Sequence, residues 1–446
     1  MRRLFDNTST WSSICQNWRL SWALFFAAFA VRAISIAVVG EIPGGDTSDY
    51  DEIAGNLLLG NGFVATENWF GFEMRSWRPP LYPVFLALLY GVFEFDHLWV
   101  MFAQALLGAA ATVLIFLLSR KLHPPSALAT GVVALLYGPL VQTANSVMSE
   151  GLFSLLLLLS LNLLVTGARE EGAAPAKVST GRSVLAGVSI GLAALTRPVG
   201  LILWPVALAL QAISAAGRPS GSKSWRTQAL WLSAGIVVSL APWTIRNYAV
   251  HDEFVMISTQ GGFIIARSNA ADPAWRQERG WGIDRELFER IPSEVERDHY
   301  WFQQGQAFIR ENPGTYLRLA FERFLRFCYF MRPGYDFWYM SILPFFALGL
   351  WRYGHLGQFG YLSWYMAASL AVFCFVLYGS ARFRLPLEPL FILFASAGAH
   401  DLWRRYGRAP TLVAVSLAVC ANGLIWWQEE GVRRLIVDCL LRVNLK

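Results

Sequence analysis

The chain has 446 residues, of which 55% are hydrophobic, only 15% are charged and 19 are tryptophan. A typical soluble domain carries about 25% charged residues, so this composition leaves too little polar surface for an ordinary soluble enzyme. The formal net charge of +6 comes from short basic clusters between apolar runs rather than from a basic domain, which argues against a nucleic-acid-binding protein. The sequence therefore predicts a polytopic, all-α membrane protein.

Cysteine and histidine usage predicts neither a disulfide framework nor a metal centre. The five cysteines have no CxxC spacing, and several lie in or beside apolar runs, where small buried thiols are expected. The six histidines occur singly, so the sequence offers no zinc ligand set.

The first apolar run, near 19–40, follows a polar and basic segment. Its length and the lack of a small-residue cleavage site favour a retained transmembrane helix over a removed signal peptide. Arg32 lies within this run and snorkels, pairs inside the bundle or contacts a lipid, alternatives that the sequence leaves open. With this run, the usual requirement of about 20 apolar residues gives about eleven transmembrane helices. The others lie near 98–119, 125–147, 151–167, 183–196, 199–215, 228–248, 336–352, 359–379, 386–403 and 410–427.

The run Leu81–Phe93 is interpreted as a helix on the membrane surface, with a short tilted span as the alternative. As a helix it is roughly 20 Å long, less than the hydrocarbon core of about 30 Å. With this run left out, the basic loops share the side of the N-terminus, which the positive-inside rule assigns to the cytoplasm. Two large external segments then remain, 41–97 and 249–335.

The first external segment holds the densest acidic cluster of the chain, from Asp46 to Glu52. Thr47 or Ser48 is predicted to cap a helix, with Asp51 or Glu52 reaching back in a capping box. This helix presents Tyr50, Ile53, Ala54, Leu57 and Leu58 on one face and ends at Gly60-Asn61-Gly62. Asp51 and Glu52 are interpreted as its solvated face. Asp46 precedes the cap and follows two glycines, a backbone that can place a carboxylate in a cleft.

A second feature of this segment is Arg78 before Pro79-Pro80-Leu81-Tyr82. The prolines suit the first turn of the surface helix. Arg78 then lies at the water boundary, where it either snorkels or binds a phosphate with its planar fork.

These motifs and four later ones resemble the GT-C membrane glycosyltransferases of the protein O-mannosyltransferase and lipid A aminoarabinose transferase type. The resemblance is closest to the bacterial branch that uses polyprenyl-phosphate-linked sugars, and it runs from about residue 20 to 400. It implies a GT-C-like bundle with two juxtamembrane helices in the first external loop. The later motifs are Ser149-Glu150-Gly151-Leu152-Phe153, Thr196-Arg197-Pro198, Pro242-Trp243-Thr244-Ile245-Arg246-Asn247 and Arg382-Phe383-Arg384-Leu385-Pro386-Leu387-Glu388-Pro389.

The resemblance implies that Asp46 is the catalytic base. Thr47 stands where many relatives have a second acid, so a metal or acceptor role at that position is not carried over. No cofactor is required by this interpretation, and a weakly bound divalent cation is left open. The implied organisation is a transmembrane module of residues 1–248 with a catalytic loop at 41–97, an external region at 249–335 and C-terminal helices and tail at 336–446.

The chemistry needs few acids, because a lipid phosphate leaves as a stable anion and one carboxylate suffices as base. The arginines at external helix ends are expected to hold the phosphate, with interfacial anchoring as the alternative for Arg382 and Arg384. Glu150 is interpreted as an acceptor binder or secondary acid, since burial of an acid there is costly. The predicted substrate-binding residues are Asp49, Tyr50, Arg78, Tyr82, Glu150, Arg197, Arg246, Arg382 and Arg384.

The predicted function is inverting transfer of a sugar from a polyprenyl-phosphate donor to a hydroxyl of a glycolipid, glycan or protein. The expected location is the bacterial inner membrane, with the N-terminus in the cytoplasm and the active site on the external face among membrane lipids. The alternative is a transporter or flippase of lipid-linked sugars, which predicts broken helices, mid-membrane acids or an inverted repeat.

Overall fold

The computed structural model describes residues 18–66, 72–165, 179–216, 222–269, 290–329, 334–432 and 434. Predictions for residues 1–17 and for most of the basic loops at 167–182 and 217–226 lie outside these ranges. One isolated bridge joins Ala65 and Met74, and the remaining regular structure of the described ranges is helical. The predicted all-α fold is therefore confirmed.

Helices follow the apolar runs closely. In chain order the α-helices of the described ranges are α1 (Trp18–Val39), α2 (Thr47–Leu58), α3 (Leu81–Phe93), α4 (His97–Leu122), α5 (Ala127–Leu136), α6 (Gly138–Gln142), α7 (Glu150–Leu164), α8 (Thr180–Thr196), α9 (Leu203–Ala216), α10 (Ser222–His251), α11 (Gly261–Ser268), α12 (Glu294–Glu311), α13 (Pro313–Cys328), α14 (Phe337–Tyr353), α15 (Phe359–Phe375), α16 (Glu388–Tyr406) and α17 (Arg408–Trp427). Four 3-10 segments, Pro124–Ser126, Thr143–Asn145, Pro198–Ile202 and Ala381–Leu387, connect some of them.

Four of these helices are long and apolar enough to cross a membrane: α1, α4, α10 from Trp225 onwards, and α17. A fifth span arises if a bent pair is counted as one. Other predicted spans form shorter helices, such as the 15-residue α7 and the 17-residue α8. The chain is a multi-pass membrane protein, and the count of eleven spans stays a prediction.

The predicted span 125–147 is wrong as a single helix. The structure breaks it between Leu136 and Gly138, and the two halves are bent by 55°. Pro139 has no backbone N–H to continue the hydrogen-bond ladder. Gly138 lies against the indole of Trp338, where a Cβ would collide. The bend carries the chain back towards Ser149 and Glu150 at the start of α7.

The two helices predicted for the first external segment are present as α2 and α3 and pack together, and their location at the membrane surface stays a prediction. Tyr50 of α2 lies edge-on to Tyr82 of α3, with ring centroids 4.9 Å apart. The predicted capping box is wrong, because Asp46 occupies the N-cap position without a side-chain cap hydrogen bond. Asp51 instead accepts from the Tyr90 hydroxyl at 2.7 Å, and Glu52 from the Thr66 hydroxyl at 2.9 Å. Because both carboxylates bind hydroxyl groups of other segments, neither caps the N-terminus of α2.

Glycines bring two pairs of membrane helices into backbone contact. On α8, a Cβ at Gly187 would collide with the Leu232 carbonyl of α10. Where α14 meets α16, a Cβ at Gly349 would collide with the Phe394 carbonyl. Small residues permit such close approach between membrane helices, where packing replaces the hydrophobic effect as the driving force.

The second external segment, with α11, α12 and α13, docks on the first. The Glu294 carboxylate of α12 accepts from the backbone N–H of Arg75 at 2.8 Å and of Ser76 at 3.1 Å. Beside it, Trp77 packs on Phe263 of α11, with ring centroids 5.4 Å apart. The two segments that the sequence predicts to be external therefore pack against each other.

Candidate active site

Six charged side chains converge where α2, the Arg78 loop, α7, the end of α8 and the segment Ala381–Leu387 meet. We call them the ionic cluster. Its members are Asp46, Asp49, Arg78, Glu150, Arg197 and Arg382. All six were selected from the sequence, from motifs up to 336 residues apart.

Asp46 lies between two arginines. Arg78 Nη2 donates to Asp46 Oδ1 at 2.8 Å, and Arg382 Nη2 donates to Oδ2 at 2.7 Å. Burial raises the pKa of this carboxyl, but the positive charges of Arg78, Arg382 and Arg197 outweigh that effect and lower the pKa to about 2. Asp46 is therefore ionised at neutral pH.

Arg78 is held from its other side by Asp49. Its Nε and Nη2 contact Asp49 Oδ2 at 2.8 and 2.6 Å, and its guanidinium lies 5.5 Å from the centre of the Tyr50 ring. Burial lowers the pKa of Arg78, yet the carboxylates of Asp46 and Asp49 hold it above its usual value. For Asp49, burial prevails and raises the pKa. Asp49 and Tyr50 thus fix the guanidinium in place.

Glu150 joins the other two arginines. Arg197 Nη1 lies 2.7 Å from Glu150 Oε1, and Arg382 Nε donates to the same oxygen. Glu150 Oε2 is buried and has no hydrogen-bond partner within the described ranges. These two cations offset the cost of burying the carboxylate, so Glu150 lies as a counter-ion between Arg197 and Arg382.

A cavity of about 540 Å³ opens from the ionic cluster. Asp46, Arg78, Arg197 and Arg382 lie on its wall at one side. Aliphatic and aromatic side chains form a second side: Val199, Leu201, Ile202, Val372, Phe373, Leu377 and Phe383. The segment after α10 supplies a third, mixed side, in which the polar Ser258, Gln260, Asp298 and His299 lie among Phe254, Val255, Met256, Ile257, Ile264 and Val295. Such a cavity can hold an apolar chain, a phosphate and a polar group at once.

Arg246 was predicted to hold the phosphate, but it does not line the cavity. Its Nη1 donates to the Arg75 carbonyl at 2.8 Å, and its Nη2 donates to the Phe63 carbonyl at 3.0 Å. Its guanidinium also stacks on Trp243, 4.7 Å from the ring centre. These contacts fasten the first external loop to the end of α10, which the sequence spacing could not reveal.

Arg384 likewise lies outside the cavity. Its side chain is 2% exposed, with Nε donating to Glu388 Oε1 at 2.8 Å and Nη2 paired with Asp336. Its guanidinium covers the Tyr339 ring, 3.6 Å from the centre. Arg382 and Arg384 are two positions apart in a 3-10 segment, so their side chains point in different directions. Arg382 faces the cavity, and Arg384 faces the interior.

Tyr82 supports the site through a packing contact and one hydrogen bond. Its hydroxyl donates to Gln104 Oε1 at 3.3 Å, and its ring packs under Tyr50. It is fully buried and does not line the cavity. Tyr82 was predicted to bind substrate, but in the structure its ring packs against Tyr50 instead.

The sequence interpretation missed several cavity residues. Tyr378 lies four positions before Arg382 and lines the cavity, and its hydroxyl pKa is raised by burial. Asp298 and His299 lie on α12, in the mixed-charge external segment. Tyr378 could have been found from its spacing to Arg382, whereas Asp298 belongs to an ordinary charged helix and carries no sequence signal.

Cation binding has little support from the geometry. Among the residues that the structure describes, no three His, Cys, Asp or Glu side chains are grouped so that they could hold a metal ion. The carboxylates of Asp46 and Asp49 are both directed at guanidinium groups.

The fold of the described residues is that of GT-C membrane enzymes. Residues 77–245 match the family of dolichyl-phosphate-mannose-protein mannosyltransferases. The resemblance to GT-C glycosyltransferases inferred from the sequence is thereby confirmed. Comparison with curated proteins finds no significant match.

Solved structures share the fold at low sequence identity. ArnT from Cupriavidus metallidurans, bound to undecaprenyl phosphate, matches with a TM-score of 0.55 and 16% identity over 94% of this chain and 65% of its own. AglB, an archaeal oligosaccharyltransferase from Archaeoglobus fulgidus in complex with an inhibitory peptide and a dolichol-phosphate, gives a TM-score of 0.55 and 13% identity over 92% of this chain and 56% of its own. The chain spans less than two thirds of the length of either structure.

Proposed function

We propose that this protein transfers a sugar from a polyprenyl-phosphate donor to an acceptor hydroxyl, with inversion at the anomeric carbon. The observation that carries the proposal is the position of Asp46, an ionised carboxylate on the wall of a cavity that is lined both by arginines and by apolar side chains. A lipid-linked phosphate has both chemistries, an anion and a long apolar chain.

In the proposed reaction, Asp46 accepts the proton of the acceptor hydroxyl. The hydroxyl oxygen forms a bond to the anomeric carbon while the bond from that carbon to the phosphate oxygen breaks. The electron pair of the broken bond stays on the lipid phosphate, where Arg78, Arg197 and Arg382 stabilise the developing charge. The leaving group needs no acid, because its conjugate acid is already strong.

The proposed substrates also fit the walls of the cavity. The apolar side accommodates the polyprenyl chain next to Phe373 and Phe383, and the mixed side accommodates the sugar or the acceptor. The acceptor class (glycolipid, glycan or protein) is part of the proposal, as is a site on the external face of the bacterial inner membrane with the N-terminus in the cytoplasm. The support for that orientation is the positive-inside distribution of basic loops.

Transfer or hydrolysis of the sugar from a purified polyprenyl-phosphate sugar by the full chain tests the proposal. Asp46→Asn should lower turnover by at least about a thousandfold, because general-base catalysis contributes 10²–10⁴-fold and a second effect on the arginines adds to it. Glu52→Gln, a neutralised acid on the same helix, is the matched control and should keep wild-type turnover. Full activity of the Asp46 variant would remove Asp46 from its role as base.

One observation favours the alternative of a transporter or flippase, namely the 55° bend between α5 and α6. Broken helices are typical of transporters with a site near the bilayer midplane. A lipid-linked sugar reconstituted in vesicles distinguishes the two functions. Translocation of the intact lipid without cleavage would support the flippase, whereas release of the sugar requires the transferase.

A further inference from the structure

Every arginine of the ionic cluster is already paired in the free protein. Three arginines face three carboxylates, and each guanidinium contacts at least one of them. The formal charges of these six groups add up to zero. A phosphate that enters the cavity therefore meets guanidinium groups that each already contact a carboxylate, and it competes with that carboxylate wherever it binds the same N–H group.

Arg382 is the arginine best placed for this exchange. Its side chain is 31% exposed, against 15% for Arg197 and 8% for Arg78. Its Nε is held by Glu150, and its Nη2 reaches Asp46 through a single contact at 2.7 Å. Arg78, by comparison, is fixed by two contacts to the nearly inaccessible Asp49.

A carboxylate between two guanidinium groups is a weak base. Asp46 faces Arg78, Arg382 and Arg197 as cations, with Asp49, Glu150, Tyr50 and Tyr378 as the acidic or neutral titratable groups around it. Hydrogen bonds and opposite charges that stabilise the ionised form reduce its affinity for a proton. General bases work best when their proton affinity matches the operating pH. While both guanidinium groups contact it, Asp46 is thus a weak base.

We propose that the phosphate of the lipid donor takes Arg382 Nη2 from Asp46, and that this exchange converts Asp46 into an effective base only when the donor is bound. This inference rests on the proposed function and deepens it. Arg382 then has two successive partners: Asp46 in the free protein and the phosphate in the complex. Glu150 stays bound to Arg382 Nε in both states, so the guanidinium rotates about this contact.

Linkage makes the exchange measurable. If phosphate binding strengthens the affinity of Asp46 for a proton, then loss of the charge on Asp46 must strengthen phosphate binding by the same factor. The variant Asp46→Asn mimics the protonated residue. The inference therefore predicts that removal of the catalytic base tightens the binding of the lipid phosphate, the reverse of what loss of an ordinary contact residue does.

The experiment measures the dissociation constant of undecaprenyl phosphate for the detergent-solubilised full chain. Asp46→Asn should bind about tenfold more tightly than wild type, within the usual range of coupling factors. Asp46→Ala, which also removes the amide oxygen as an acceptor, should bind at least as tightly. Asp49→Asn is the matched control: it adds the same net charge to the cluster but leaves the contact between Asp46 and Arg382 intact, so its gain should be clearly smaller.

A second background isolates the role of Arg382. In Arg382→Gln, the additional change Asp46→Asn should leave the dissociation constant unchanged, because the competition has been removed. Equal affinities of Asp46→Asn and wild type, an equal gain in Asp49→Asn, or a gain that persists without Arg382 would each overturn the inference alone. Failure of the wild type and all variants to bind undecaprenyl phosphate would overturn the proposed function together with it. Thermal unfolding of each variant verifies that folded proteins are being compared.

Discussion

At the scale of single residues, the acidity of Asp46 determines how the proposed reaction responds to pH. Its lowered pKa of about 2 compares with an ordinary value of 3.8. The ion pairs of Asp46 therefore stabilise the fold above the ordinary value, and this contribution is lost as the pH falls through about 2. Acidification to pH 4 should leave the ion pairs of Asp46 intact.

The same acidity yields a kinetic prediction. The acid limb of kcat/KM reports the free protein and that of kcat the donor complex. If Asp46 is freed on binding, kcat should begin to fall at a higher pH than kcat/KM as the solution is acidified. Coincident limbs in a pH series between 3 and 8, with the donor as substrate, would speak against release of the base.

Arg384 gives a prediction that contrasts with Arg382. Arg384→Gln leaves Glu388 and Asp336 without their cation in the protein interior, and breaking a buried pair typically costs about 3–5 kcal/mol. A marked fall in the unfolding temperature is expected, while the folded fraction keeps its affinity for undecaprenyl phosphate. An unchanged unfolding temperature together with weakened binding of undecaprenyl phosphate would instead indicate that Arg384 contacts the lipid.

The sequence could predict the members of the ionic cluster but not their partners. Asp46, Arg78, Glu150, Arg197 and Arg382 belong to the motifs that resemble GT-C glycosyltransferases, and for Glu150 the cost of burying an acid adds a physical argument. Which arginine meets which carboxylate depends on tertiary contacts between distant segments. The same limit explains Arg246 and Arg384, whose motifs resemble those of Arg197 and Arg382 but whose guanidinium groups bind carbonyls or interior acids.

At the scale of elements, the predictions succeeded where a periodic pattern was available. The predicted apolar face of α2 is buried at Tyr50, Ile53 and Ala54, whereas Leu58 at its end is exposed. Pro80 immediately precedes α3, in agreement with the expected helix start. The sequence analysis missed the break after α5. The mean hydropathy of this run stays high across Gly138-Pro139, so the run looks like one continuous apolar span.

The glycine contacts between helices supply a prediction at this scale. Gly349→Ala places a methyl group on the Phe394 carbonyl of α16, and overpacking of this kind typically costs about 1–3 kcal/mol. Gly423→Ala, in the interior of α17 with no neighbour within 4 Å, is the matched control and should be neutral or slightly stabilising. Unfolding temperatures in detergent compare the two, and equal values would mean that α14 and α16 separate at little cost.

At the scale of the whole molecule, one acid links the two segments that the sequence predicts to be external. Glu294 accepts two backbone N–H groups of the Arg75–Ser76 segment and the hydroxyl of Thr259. Glu294→Ala leaves these donors without their acceptor. Hydrogen exchange should increase around 72–78 and 255–262, whereas exchange in α8 and α10 should stay unchanged. Equal protection in both proteins would show that the aromatic contacts of Trp77 suffice.

The short membrane helices have a consequence for the lipid bilayer itself. The 15 residues of α7 span about 22 Å and the 17 residues of α8 and α15 about 25 Å, less than the hydrocarbon thickness of about 30 Å. One end of each of these helices lies at the cavity, marked by Ser149, Thr196 and Phe373. Such hydrophobic mismatch is relieved when the bilayer thins locally. In the proposed complex, thinning at the cavity ends of these helices shortens the path of the lipid phosphate to Asp46 while its chain remains within the leaflet.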